Sequence, residues 1–191
     1  AIAMMDSKDY NPLFIYGPSG IGKTHLMSAV VNEIRKKKKD LKVTFIKCED
    51  FTNELIMSLS KKSMPEFREK YRKCDILLID DIQFISGKEA TQEEFFHTFE
   101  ALYEDNKQII LSSDRPPKDI EKLVDRLRTR FEWGIIADIQ PPDLELRIAI
   151  FKRKAIDFGY DLDMDILYYL AKNITTNIRQ IEGALKKLKA H

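Results

Sequence analysis

Eight consecutive residues carry the strongest chemical signal in the chain: Gly17, Pro18, Ser19, Gly20, Ile21, Gly22, Lys23 and Thr24, directly after the apolar run Leu13–Tyr16. Three glycines let a backbone turn its amides toward an anion, and a helix opening behind them presents its positive end to the same oxygens. Lys23 is then placed to bridge the β- and γ-phosphates of a nucleotide. Thr24 would give a hydroxyl to Mg2+, which prefers oxygen ligands and keeps several waters. This is the Walker A pattern in the strand, loop, helix context it requires, so Gly17, Ser19, Gly20, Ile21, Gly22, Lys23 and Thr24 are the expected nucleotide contacts. His25 closes the stretch, although helical spacing turns its side chain away toward a packing or surface role.

A second apolar run, Ile76–Ile79, delivers Asp80 and Asp81. At the carboxyl edge of a parallel sheet, where α/β proteins bind ligands, Asp80 would hold Mg2+ partly through water. Asp81, one residue further, would orient or deprotonate an attacking water, which favours nucleotide hydrolysis over binding alone.

The elements that must position these groups show in the spacing of apolar runs. Leu13–Tyr16, Val43–Ile46, Ile76–Ile79, Ile109–Leu111 and Ile135–Ile139 have strand length and alternate with helical patterns, which predicts a parallel α/β sheet between helices. After Pro141 and Pro142 only helical periods remain, with Ile178, Ile181, Leu185 and Leu188 on one face of the last. Residues 1–141 are therefore expected to form the nucleotide-binding core and 142–191 a small all-helical lid subdomain. The segment 50–74 is longer than one crossover helix needs, and Pro65 is expected to divide it in two. From Phe51 to Cys74 it carries Lys61, Lys62, Arg68, Lys70, Arg72 and Lys73 against Glu54, Glu66 and Glu69.

That local surplus matters because the chain as a whole is nearly neutral, with a formal charge of +1, and offers no bulk attraction for nucleic acid or membrane. Arg35–Lys39 closes the first helix, where cations oppose the negative dipole end. No apolar run approaches the roughly 18 residues needed to span a bilayer, and Ala1–Tyr10 lacks a basic flank followed by an apolar stretch. A cytoplasmic chain is expected. Cys48 and Cys74 lack paired spacing and read as reduced packing thiols, and three histidines without ligand spacing argue against a metal centre built on them.

Beyond these general patterns stand Asp80-Asp81-Ile82-Gln83-Phe84, Gly87-Lys88-Glu89, Glu93-Glu94-Phe95-Phe96-His97-Thr98-Phe99 and Ser112-Ser113-Asp114-Arg115-Pro116-Pro117. Asp125-Arg126-Leu127, Arg130-Phe131, Pro141-Pro142-Asp143 and Arg179-Gln180-Ile181-Glu182-Gly183-Ala184-Leu185 follow. Together, from Asn11 onward, they resemble the AAA+ domain of the DnaA family of bacterial chromosomal replication initiators. The resemblance implies a P-loop AAA+ fold with a five-stranded sheet in the order 5-1-4-3-2, an initiator-specific helical insertion after the second strand, and assembly on origin DNA. It assigns Asp114 as sensor 1, Arg130 as the arginine finger acting on a neighbouring protomer's ATP, and Arg179 as sensor 2; Arg126, one helical turn earlier, competes for the finger's role. It also implies slow, switch-like ATP hydrolysis, because the Asp80-Asp81 pair has a shorter second side chain than the Asp-Glu pair common among AAA+ ATPases.

By the same resemblance, Ile56, Lys88 and Thr91 match positions that track one strand of single-stranded DNA, Lys88 at a phosphate and Ile56 against sugar carbons. The family's adenine contacts lie upstream of the first strand, and its duplex-reading helix-turn-helix lies beyond the last helix, so no sequence-specific duplex reading is expected of this chain. The implied function is an ATP-dependent initiator domain that oligomerises with ATP, not ADP, and engages single-stranded origin DNA. A helicase loader or regulatory initiator paralogue would share both Walker elements and the finger. A small-molecule kinase would leave Asp81, Arg130 and Arg179 unexplained.

Overall fold

The structure, a computed structural model, describes residues 10–175 and 178–189, with backbone alone for residues 179 and 187–189, and contains two compact units. The first holds the chain up to Tyr16 and Lys23–Asp138, and the second holds Gly17–Gly22 and the chain from Ile139. The division thus falls three residues before the proline pair, and the glycine-rich loop is grouped with the helical residues rather than with the core.

In the first unit, β1 (Leu13–Tyr16), β2 (Val43–Lys47), β3 (Ile76–Asp80), β4 (Gln108–Ser113) and β5 (Ile135–Asp138) form one parallel sheet ordered β2-β3-β4-β1-β5. This is the expected order read from the opposite edge. The interior strand β3 is buried at every position, as a strand covered on both faces must be, whereas the edge strand β5 alternates half-buried with exposed residues. β4 runs past the predicted Leu111 because Ser112 and Ser113 continue the ladder opposite Ile15 and Tyr16.

Helix α1 (Lys23–Lys37) ends in Arg35, Lys36 and Lys37, as dipole compensation requires. The insertion forms α2 (Cys48–Ser60) and α3 (Met64–Arg72), with Pro65 in the first turn of α3, where its missing amide is not needed. A chain of aromatic contacts runs from α3 through α2 to α4 (Glu89–Glu104) and on to α5 (Asp125–Phe131). Phe51 meets Tyr71 at 4.9 Å and Phe95 at 5.8 Å, and Phe131 meets Phe95 at 6.1 Å and Phe14 of β1 at 5.6 Å between centroids. Removing one such buried ring costs about 3–5 kcal/mol, so the insertion is part of the core. Cys48 and Cys74 are free and buried, and burial pushes the Cys48 thiol up to about 12, so it stays protonated.

The second unit contains α6 (Leu144–Asp157), α7 (Met164–Asn173) and α8 (Ile178–Lys189) around Phe151, Ala155, Leu167, Ala171, Ile181 and Leu185. Asp143 caps α6 by accepting from the Leu146 amide at 2.8 Å. Among the described residues, no helix is long and apolar enough to cross a membrane.

Candidate nucleotide site

The carboxylates at the end of β3 are built into the sheet. Ile79 pairs with Leu111, so the next residues, Asp80 and Ser112, stand side by side. The Ser112 hydroxyl donates to Asp80 Oδ1, and the Thr24 hydroxyl, in the first turn of α1, donates to Asp80 Oδ2 at 2.6 Å. Both Asp80 oxygens are therefore occupied in a residue only 1% exposed, which fixes its orientation. Ser112 also accepts from the Asp81 amide at 2.9 Å, tying the second carboxylate to the same hydroxyl. Asp81 has φ 57° and ψ 51°, a left-handed conformation that costs a non-glycine residue about 1–3 kcal/mol and recurs at functional sites. Gln83, in the 3-10 turn Ile82–Ile85, donates to Asp81 Oδ1 at 3.2 Å.

Lys23 opens α1 and is 6% exposed. Asp114, just past β4, is gripped by Arg115 through two bonds of 2.8 and 2.9 Å. Arg115 first, against the opposing effect of burial, and then Lys23 hold the Asp114 carboxyl below the ordinary carboxylate value. The donor set suits Mg2+: a hydroxyl and a carboxylate meet at 2.6 Å, both hard oxygens. No group of three or more His, Cys, Asp or Glu gathers for a metal among the described residues, so phosphate and water would complete such an ion's shell. A cavity of about 500 Å3 opens beside Thr24 and Asp80, walled by Thr44–Lys47 of β2 and by Asp50, Glu54 and Lys70 of the insertion.

The loop residues have their own constraints. At Gly17, φ is +155°, and a Cβ there would lie 2.3 Å from the Ile139 carbonyl oxygen, so no larger residue fits without moving backbone. Ser19 is exposed, while the Ile21 side chain is buried, leaving Ile21 only its backbone to offer a ligand. The Ile178 amide, at the start of α8, donates to the Gly20 carbonyl at 3.0 Å. Arg179 is the next residue on α8, and its side chain lies outside the described residues, as do Ala1–Asp9, where upstream adenine contacts were sought.

The remaining expected residues lie elsewhere. His25 is exposed. Arg130, on α5, is bonded to Glu100 of α4 and stacks on Trp133, whereas Arg126 pairs with Glu93. Ile56 on α2 is 57% exposed, and Lys88, at the start of α4, is also exposed. Thr91, in the first turn of α4, is 4% exposed. Gln92 beside it is 1% exposed and bonds to the Ile85 and Lys122 carbonyls and the Val124 amide, which ties the first turn of α4 to the neighbouring loops. Sequence reasoning missed Ser112 and Gln83. The only available hint for Ser112 was a polar residue ending an apolar strand, and for Gln83 its position two residues after Asp81.

The fold and the sequence both have counterparts among known proteins. Residues 1–138 match the family described as the bacterial DnaA ATPase domain. The chromosomal replication initiator protein DnaA of Thermus thermophilus is 59% identical over 98% of this chain, which spans 43% of that protein's length. The crystal structure of domain III of the Thermotoga maritima DnaA superposes with a TM-score of 0.93 at 41% identity, covering 99% of this chain and 80% of the other. A replication initiator DnaA bound to AMPPCP and single-stranded DNA gives 0.88 at 42% identity, with 98% and 58% covered. On the family match over residues 1–138 and the identity to the Thermus thermophilus initiator, the chain belongs to the bacterial DnaA family and constitutes its AAA+ ATPase domain.

Proposed function

We propose that this domain binds ATP with Mg2+, hydrolyses it slowly, assembles with copies of itself in the ATP state and holds single-stranded DNA to promote origin unwinding. The observation that carries the reading is the Thr24–Asp80–Ser112–Asp81 network at the sheet edge, with Lys23 buried at the helix start that follows the phosphate loop. Bound Mg2+ would neutralise phosphate charge, its protein contacts being Thr24 and, through water, Asp80. Asp81 stands where a carboxylate can take a proton from water, and Gln83 holds one of its oxygens. Arg179 follows the residue whose amide bonds to the loop, which suits a role in reporting the phosphate to the helical unit. Support for nucleotide and DNA comes from the relative bound to AMPPCP and single-stranded DNA.

Sedimentation of the chain with ATP, ADP and oligo-dT tests the reading as a whole. Larger species should appear with ATP and not with ADP, and Arg130→Ala should bind ATP yet stay monomeric. Assembly independent of nucleotide would overturn it.

Asp81→Asn should leave ATP affinity within about twofold and lower turnover by about 100-fold or more, the usual worth of a positioned base. Equal turnover would remove Asp81 from the chemistry. For DNA, Lys88→Ala and Ile56→Ala should each weaken ATP-dependent oligo-dT binding while nucleotide affinity holds. The Lys88 variant should also flatten the salt dependence, since one phosphate contact releases about one counterion per protomer. Unchanged binding in both would sink the strand site.

A further inference from the structure

Arg130 does not lie free on the surface. Its Nε donates to Glu100 Oε1 at 2.5 Å and its Nη2 to Glu100 Oε2 at 3.3 Å, while its guanidinium carbon sits 3.6 Å from the centre of the Trp133 ring. Three elements converge on it: α4 brings Glu100, α5 brings Arg130, and the turn into β5 brings Trp133. A guanidinium has five N–H donors in a planar fork. Glu100 uses the inner Nε–Nη2 edge, and Trp133 fixes the plane. The Nη1 hydrogens and the second Nη2 hydrogen form the remaining edge, whose spacing matches two oxygens of a phosphate. We propose that Glu100 and Trp133 are positioning residues for Arg130, holding it so that this outer edge is presented to the terminal phosphate of ATP on a neighbouring copy of the chain.

The proposal rests on the reading of Arg130 as acting in trans, and it explains why Arg130 rather than Arg126 fills that role. Arg126 also lies on a ring, 4.4 Å from the centre of Phe96, but it uses one nitrogen toward Glu93, which is itself 52% exposed and shared with His97. Arg130 uses two nitrogens toward a carboxylate 28% exposed, and its own side chain is 23% exposed. A long arginine ordered only at the moment of contact would lose rotamer freedom then, and here most of that ordering is already done.

Glu100→Ala and Trp133→Ala should bind ATP as the native chain does, yet show ATP-dependent assembly about five- to tenfold weaker, the cost of ordering one such side chain. Trp133→Phe, which keeps an aromatic face, should retain most of the native assembly. Mixing separates positioning from a damaged fold. Glu100→Ala protomers hold ATP but lack an oriented arginine, and Lys23→Ala protomers have the arginine but bind ATP weakly, so at an ATP concentration that fills only the former, mixing the two should restore assembly between them. Mixing Glu100→Ala with Arg130→Ala should not. Native assembly by Glu100→Ala and Trp133→Ala, or loss of their ATP binding, would overturn the positioning role. If Arg130→Ala itself assembles normally, the trans reading fails first; if only Arg130→Ala is defective, that reading stands and the positioning role alone falls.

Discussion

Lys23→Met should bind ATP about 10- to 100-fold more weakly than the native chain. A charged hydrogen bond to phosphate contributes about 1.5–3 kcal/mol, and 1.4 kcal/mol is one factor of ten. Methionine keeps most of the buried stem, so the site loses charge and not volume. Asp114, whose carboxyl Lys23 helps to hold low, is gripped mainly by Arg115 and keeps that partner in the variant. The loss should also depend on the nucleotide. A lysine bridging β- and γ-phosphates loses one of its two partners in ADP, so ADP affinity should fall less than ATP affinity. Calorimetric titration of both nucleotides with Mg2+ measures this, and ATP affinity equal to that of the native chain would end the phosphate-loop reading.

Sequence shows best what is local or periodic. The five apolar runs predict the five strands because buried parallel strands need continuous branched residues, and the spacing from Gly17 to Thr24 is a single backbone turn read in order. Pro65 divides the insertion for an equally local reason. What lies across space is hidden. Ser112 is 32 residues from Asp80, and only the register of β3 against β4 reveals that one hydroxyl ties both aspartates together. Glu100 and Arg130 are 30 residues apart, on helices whose packing no motif encodes. The burial of Thr91 and Gln92 was hidden for the same reason: a residue in the first turn of a helix is open in sequence terms, and the Gln92 bonds to the Ile85 and Lys122 carbonyls span loops far apart in the chain. The grouping of the phosphate loop with the helical residues likewise follows from the approach of Gly17 to Ile139 and of Gly20 to Ile178, contacts at very long sequence separation.

Among the ion pairs, the largest expected loss of stability comes from Glu94, which no motif assigns to chemistry. Its carboxylate is 9% exposed and accepts from Arg68 Nε at 3.1 Å and Nη2 at 3.0 Å and from Arg72 Nη2 at 2.6 Å, joining α3 of the insertion to α4. Removing one member of a buried ion pair costs about 3–5 kcal/mol, because the partner's charge stays behind. Arg68 is half exposed and can return to water, so Glu94→Ala belongs at the low end, about 3 kcal/mol. For a unit of this size that is a fall in melting temperature of about 6–12 °C. The pH dependence gives the sign independently. Burial alone would raise the Glu94 pKa, but the two arginines outweigh it and hold the carboxyl below its ordinary value of 4.5. A carboxylate with a depressed folded pKa stabilises fully above its unfolded value and loses that contribution as the pH falls through the folded one. The gap between native and Glu94→Gln stability should therefore be constant from about pH 6 to 8 and close progressively below about pH 4. Equal melting of the two at pH 7, or a gap that widens in acid, would refute the role. Because α2 carries Ile56 and joins α3 through the short turn at Lys61–Ser63, while α4 begins beside Lys88, the same variant should also weaken oligo-dT binding well below its melting temperature. Glu94 would then link the insertion to the other half of the strand-binding surface by the bonds that hold α3 on α4.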